Sequence, residues 1–144
     1  MKASDEIMQK FFAHMKEYCA PQAAHHFVML SGGVDSFTIL SALMQTHKPE
    51  DITAVIINGT STLDYIKAIS AADYFGINKS ITNVCVDALA CEIHNLKATK
   101  DSSLFQALFR LSSIIALRRL PVKQCPIYQG DGADSLYGNL SSFA

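Results

Sequence analysis

A glycine-rich turn, Ser31-Gly32-Gly33-Val34-Asp35-Ser36, sits between the apolar run His26-Phe27-Val28-Met29-Leu30 and a segment of helical periodicity that begins near Asp35. The apolar run suits a strand buried on both faces, and the spacing after it suits a helix. A strand, turn and helix joined this way aim backbone N–H groups and the positive end of the helix dipole at one point. Such a point suits a chain of phosphates, so a nucleotide is the expected ligand. In isolation the turn would read as a helix-capping surface loop; the flanking strand and helix set it apart.

The 144 residues are enough for one domain with one core, so residues 1–144 are read as a single domain. With 49% apolar residues and a formal charge of −1, the composition is that of a soluble globular protein. Lys and Arg are scattered. Their tightest cluster, Arg118-Arg119, falls at a helix end where cations complement the dipole, so nucleic acid is not an expected partner. Cys19, Cys85, Cys91 and Cys125 show no CxxC spacing and read as inert thiols in a reducing compartment. A zinc site would have to gather these four distant positions. No signal-peptide core and no run of membrane-spanning length occurs, which makes the cytoplasm the expected location and a membrane no expected partner.

Along the chain, residues 4 to 19 carry a helical stripe of Ile7, Met8, Phe11, Phe12 and Met15, with Ser4 as the expected cap. A strand over 26–30 leads into a helix over 35–45 with Phe37, Leu40, Leu43 and Met44 on its inner side. The run Ile52-Thr53-Ala54-Val55-Ile56-Ile57 reads as a second strand, ended by Asn58-Gly59. A helix over 61–75 closes at Gly76, a strand covers 80–86, and 87–96 reads as helical. A longer helix over 103–119 packs through Leu104, Leu108, Leu111, Ile114 and Ile115, and a fourth strand covers 124–129. Strands alternating with helices imply right-handed crossovers and a parallel sheet of four or five strands, doubly wound, in a three-layer α/β sandwich. Ligands of such sheets lie beyond the carboxyl ends of the strands. Two glycine-rich, acid-bearing turns are expected there: the one after the first strand, and Gly130-Asp131-Gly132-Ala133-Asp134 after the fourth.

The first of these resembles the pyrophosphate loop of the N-type ATP pyrophosphatases (the PP-loop ATPases, with the adenine nucleotide alpha hydrolase-like fold), which split ATP between its α and β phosphates. The second, Gln129-Gly130-Asp131-Gly132-Ala133-Asp134-Ser135-Leu136-Tyr137-Gly138, resembles the second signature of the asparagine synthetases and β-lactam synthetases. Asp64, Ala68, Ala71, Ala72, Phe75 and Gly76 match the spacing of the helix between them, so the likeness to the asparagine synthetase C-terminal domain covers roughly residues 26–140. The resemblance implies adenosine against the backbone of Leu30, Ile57, Gln129 and Gly130, and pyrophosphate held by Ser31, Gly32, Gly33 and Ser36. It implies magnesium on Asp35 and Asp134. Asp131 stands where the family more often has Glu. The implied activity is an AMP-forming carbon–nitrogen ligase that adenylates a small carboxylate with Mg-ATP for amide formation.

The family's glutaminase domain, with its leading cysteine, is not matched, since residue 2 is Lys2 and one helix precedes the first strand. The family's Glu-Thr-Tyr-Asp segment is matched only at Asp101, with Lys97 or Ala98 at the Glu position, and its C-terminal helical region has no counterpart in the sequence. Lys97 and Lys100 are the candidates for the missing catalytic charge. The resemblance therefore leaves three readings: a minimal ligase completed by a second protomer or partner subunit, a nucleotide-binding regulatory or interaction subunit, and another branch such as tRNA thiolation. The last wants a CxxC pair, a zinc cluster or a basic face that the sequence does not supply.

Overall fold

A computed structural model describes residues 3–18, 23–59, 62–85, 87, 90, 104–120 and 125–130. The elements are α1 (Ala3–Tyr18), β1 (His26–Met29), α2 (Val34–Leu43), a 3-10 turn (Pro49–Asp51), β2 (Ile52–Asn58), α3 (Thr62–Phe75), β3 (Asn78–Asn83), α4 (Leu104–Arg118) and β4 (Ile127–Tyr128). The four strands form one parallel sheet in the order β3-β2-β1-β4. Successive crossovers place β2 and β3 to one side of β1, and the third returns to place β4 on the other. The order reverses between β1 and β4, which is where a sheet of this kind leaves a crevice.

Alternation along the strands divides the core in two. Val28, Ile52, Ala54 and Ile56 face α2 and α3, packing on Leu40, Leu43, Ala68 and Ala72. Phe27 and Val55 face the other way, toward Ala116 of α4. Both faces of the sheet are thus covered, the reason β2 reads as an unbroken apolar run. The three alanines of α3, Ala68, Ala71 and Ala72, are all buried, and their small side chains seat this helix close against β2. Helix α3 ends in a Schellman turn: Gly76 takes φ +66, Ile77 N–H donates to the Ala72 carbonyl at 3.1 Å, and Gly76 N–H donates to that of Asp73 at 3.1 Å. Among the described residues no helix is long and apolar enough to cross a membrane.

Several boundaries and faces differ from the sequence reading. Ser4 falls inside α1 rather than capping it, since the helix already runs from Ala3. The third strand starts at Asn78 and ends at Asn83, not 80–86; as an edge strand it tolerates the exposed Asn78 and Lys79, and it stops where β2 offers no further partner after Asn58. The fourth strand has only Ile127 and Tyr128 in the ladder. Phe37, expected inside, is exposed, its ring resting on that of Phe75 at 5.7 Å. Ile7 and Met8 of α1 are likewise open to solvent, while Met15 packs on the core. Leu111 and Ile115 of α4 are buried as expected. The 87–96 stretch, apart from residues 87 and 90, lies outside the described residues.

At the amino end of β1, His26 is only 1% exposed. Its ring stacks on that of His47 with centroids 3.8 Å apart, and its Nδ1 lies 3.4 Å from the Tyr128 hydroxyl. Nε2 of each histidine is buried without a hydrogen-bond partner. Burial, followed by the neighbouring His47, holds the His26 imidazole below its ordinary value of 6.5. The folded chain therefore favours neutral His26, whereas the unfolded chain takes up the proton as the pH drops through about 6.5. Stability is retained above that value and declines as the pH falls toward the lowered pKa. Thermal unfolding followed from pH 7.5 to 5 is expected to show this decline, and His26→Phe, which keeps an aromatic ring on His47 but cannot titrate, is expected to flatten it; equal slopes for both proteins would assign the decline elsewhere.

Candidate functional site

Strand β1 ends at Met29, and the backbone N–H of Leu30 still donates to the Val55 carbonyl at 3.0 Å, so the chain leaves the sheet held firmly. The next six residues fold back on themselves through two serines. Ser36, only 3% exposed, donates its hydroxyl to the Gly33 carbonyl at 3.0 Å and accepts from Ser31 N–H at 3.2 Å. The Ser31 hydroxyl meets it at 3.1 Å and accepts from Gly33 N–H at 3.4 Å. Gly33 caps α2 without a side chain, in extended conformation at φ −87 and ψ 163. The first-turn N–H groups of Val34, Asp35 and Ser36 thus have no intrahelical acceptor, and they share the helix end with the exposed Ser31 and Gly33.

Two close approaches fix this loop. Gly32 adopts φ +84, and a Cβ on it would lie 2.2 Å from the Asp64 carbonyl oxygen, so the first turn of α3 backs directly onto the loop. From the other side comes Gly130, just beyond β4: a Cβ there would lie 2.9 Å from Asp35 Cβ and 3.2 Å from Ser36 N. The glycine after the fourth strand therefore rests on the first turn of α2, beside the half-buried Asp35.

The structure brings together Leu30, Ser31, Gly32, Gly33, Asp35, Ser36 and Gly130, with exposed Gln129 adjoining Gly130 and half-buried Ile57 near the carboxyl end of β2. Asp131, Asp134, Lys97, Lys100 and Asp101 lie outside the described residues. The hydroxyls of Ser31 and Ser36 are both engaged within the loop and shape it. The same rim carries residues that the sequence did not single out as part of the site. Asn58 and Asn83 are the last residues of β2 and β3, and the Asn58 side-chain N–H donates to Asn83 Oδ1 at 2.9 Å; Asp64, paired with Lys67 at 3.6 Å, buttresses Gly32 through its backbone carbonyl. Asn58-Gly59 signalled only the end of a strand, and nothing in the sequence placed Asn83 beside it.

A doubly wound parallel sheet whose first strand runs into a Ser-Gly-Gly loop at the point of strand reversal has the architecture of the PP-loop ATPases. Solved structures share it. Glutamine-dependent NAD+ synthetase from Acinetobacter baumannii, in complex with ADP, superimposes with a TM-score of 0.66 at 18% identity over 96% of this chain. NH3-dependent NAD synthetase from Campylobacter jejuni, in complex with nitrate, gives 0.68 at 16% over 96%, and NMN synthetase from Francisella tularensis gives 0.60 at 20% over 82%. The chain spans 25%, 61% and 50% of those three proteins respectively. No curated protein sequence matches it. The asparagine synthase family model matches residues 23–143, and the chain belongs to that family.

Proposed function

We propose that this chain binds Mg-ATP at the loop between β1 and α2 and activates a small carboxylate by adenylation, releasing pyrophosphate, as an asparagine-synthetase-like ligase. The observation that carries the reading is the packing of Gly130 on Asp35, by which two loops a hundred residues apart form one cradle at the end of α2. The presence of ADP in the Acinetobacter baumannii synthetase, which shares this fold, supports the ligand class. In this reading the backbone of Leu30, Ile57, Gln129 and Gly130 lies along the adenosine. The N–H groups around Ser31, Gly32, Gly33 and Ser36 hold the phosphates, whose charge the helix dipole complements.

Asp35 offers a hard oxygen donor beside those N–H groups, which fits magnesium; with Asp134 it would hold the ion, whose contribution is to offset phosphate charge. A carboxylate oxygen of the substrate attacks the α-phosphorus in line, and the chain supplies position and charge compensation rather than covalent chemistry. Asp131, the residue after Gly130 in the sequence, is proposed as a further nucleotide contact, and Lys97 and Lys100 as the cations that would offset charge at the acceptor.

Incubation with Mg-ATP is expected to yield AMP and pyrophosphate in the presence of a carboxylate such as aspartate. Tight ATP binding with the nucleotide left intact under every carboxylate tried would instead establish a nucleotide-binding subunit. Asp35→Ala is expected to weaken magnesium-dependent ATP binding on the order of 100-fold with the circular dichroism spectrum unchanged. Calorimetric titration checks this, and ordinary affinity in the folded variant would remove Asp35 from the metal site.

A further inference from the structure

Three aromatic side chains from three parts of the chain meet on the α2 side of the sheet, at the end away from the phosphate loop. His26 opens β1, Tyr128 closes β4, and His47 follows α2, its backbone N–H donating to the Leu43 carbonyl at 2.9 Å. The His26 ring lies between the other two, with centroids 3.8 Å from His47 and 6.0 Å from Tyr128, and the Tyr128 hydroxyl stands 3.4 Å from His26 Nδ1. The proposed adenylation uses none of the three. Yet Tyr128 is two residues before Gly130, a span of no more than about 7 Å, so whatever moves Tyr128 moves the glycine that rests on Asp35.

We propose that His26, His47 and Tyr128 are positioning residues of the nucleotide cradle: with His26 neutral they seat β4, and thereby Gly130, on Asp35, and a proton on His26 releases β4 and opens the cradle. The inference rests on the reading of that cradle as the ATP site. A proton on His26 puts a charge where only 1% of the residue reaches water, and where Nε2 has no hydrogen-bond partner to take it. The stacked His47 and, less strongly, His25 oppose that charge, while the Ala23 carbonyl and Asp51 of the 3-10 turn favour it. Elsewhere on this side α1 adds the apolar Met15, and Lys48 and Glu50 are exposed. Such a charge is relieved by admitting water, and the weakest neighbour yields first. Strand β1 is paired with β2 along four residues, and α2 is anchored by the buried Leu40 and Leu43. Strand β4 has two residues in the ladder, so lifting Tyr128 is the least costly local opening.

Amide exchange on the nucleotide-free chain tests the release apart from any question of ATP. After correction for the intrinsic pH dependence of exchange, the amides of Ile127 to Gly130 are expected to exchange about tenfold faster at pH 5.5 than at pH 7.5, the factor by which proton uptake at an ordinary imidazole favours the open strand. In His26→Phe, which cannot take the proton, they are expected to exchange equally at both. Calorimetric titration with Mg-ATP over the same interval is expected to show affinity falling about threefold more in the unsubstituted chain than in His26→Phe, a comparison that cancels titration of the nucleotide and of Asp35. Tyr128→Phe keeps a ring beside His26 without the hydroxyl and serves should His26→Phe not fold; its exchange over Ile127 to Gly130 is expected to be about threefold faster at pH 7.5 and less responsive to acid. Equal pH dependence of exchange in the unsubstituted chain and the variants would overturn the proposal, and so would a strand that opens in acid while ATP affinity falls alike in all of them. Absence of ATP binding at pH 7.5 would overturn the nucleotide reading and this proposal with it, a result that the exchange measurement keeps distinct from the other two.

Discussion

Gly32→Ala is expected to abolish measurable nucleotide binding and to destabilise the fold by about 2 kcal/mol or more. Two costs act at once. An alanine at φ +84 occupies the left-handed region, which disfavours any Cβ, and that Cβ would fall 2.2 Å from the Asp64 carbonyl oxygen. The oxygen belongs to the backbone of α3 and cannot rotate away as a side chain would. Either the loop lifts from α3, scattering the N–H groups that converge at the start of α2, or α3 shifts along the sheet. Gly76→Ala isolates the first cost, because Gly76 has φ +66 but nothing within 4 Å of a Cβ there. It is expected to lose about 1 kcal/mol and to bind ATP normally. Urea unfolding gives the stabilities and calorimetric titration the affinities. A Gly32→Ala protein that bound ATP like the unsubstituted chain would refute the loop as the phosphate site.

Why the sequence disclosed so much of the loop, and less of what surrounds it, follows from the range of the signals. The change from an unbroken apolar run to helical spacing across Gly32-Gly33 is local, and so is the glycine that ends α3 at position 76. Both were legible. Strand order is not local: four strands alternating with helices are compatible with several orders, and only the structure sets β4 beside β1 and so brings Gly130 onto Asp35. Burial of one face was legible for Leu40 and Leu43, but Phe37, an apolar residue on the same helix, points outward, because α2 is apolar over more of its circumference than the sheet can cover. The third strand begins ahead of its sequence signal because its first residues, Asn78 and Lys79, lack the apolar character of an inner strand. The two glycines of the loop looked equivalent in sequence, yet a Cβ on Gly33 would meet only the Ser31 hydroxyl, at 3.5 Å. The requirement for glycine at position 32 comes from α3, thirty residues further on.

The same contrast decides the second large effect, expected for Gly130→Val. Gly130 has no positive φ, so the backbone conformation itself tolerates any residue. What excludes a side chain is the first turn of α2, whose Asp35 Cβ, Asp35 carbonyl carbon and Ser36 nitrogen would lie 2.9, 3.2 and 3.2 Å from a Cβ. A branched side chain there must push the residues after β4 away from α2. Since β4 contributes only two residues to the ladder, its pairing with β1 is the weakest in the sheet and yields before the helix does. The cost to stability is therefore expected to stay modest, about 1–3 kcal/mol, while ATP affinity falls by at least about tenfold as the two halves of the cradle separate. A stability loss without an affinity loss would show that the contact between Gly130 and Asp35 serves packing alone, and ATP would then have to be held by the β1–α2 loop without the segment after β4.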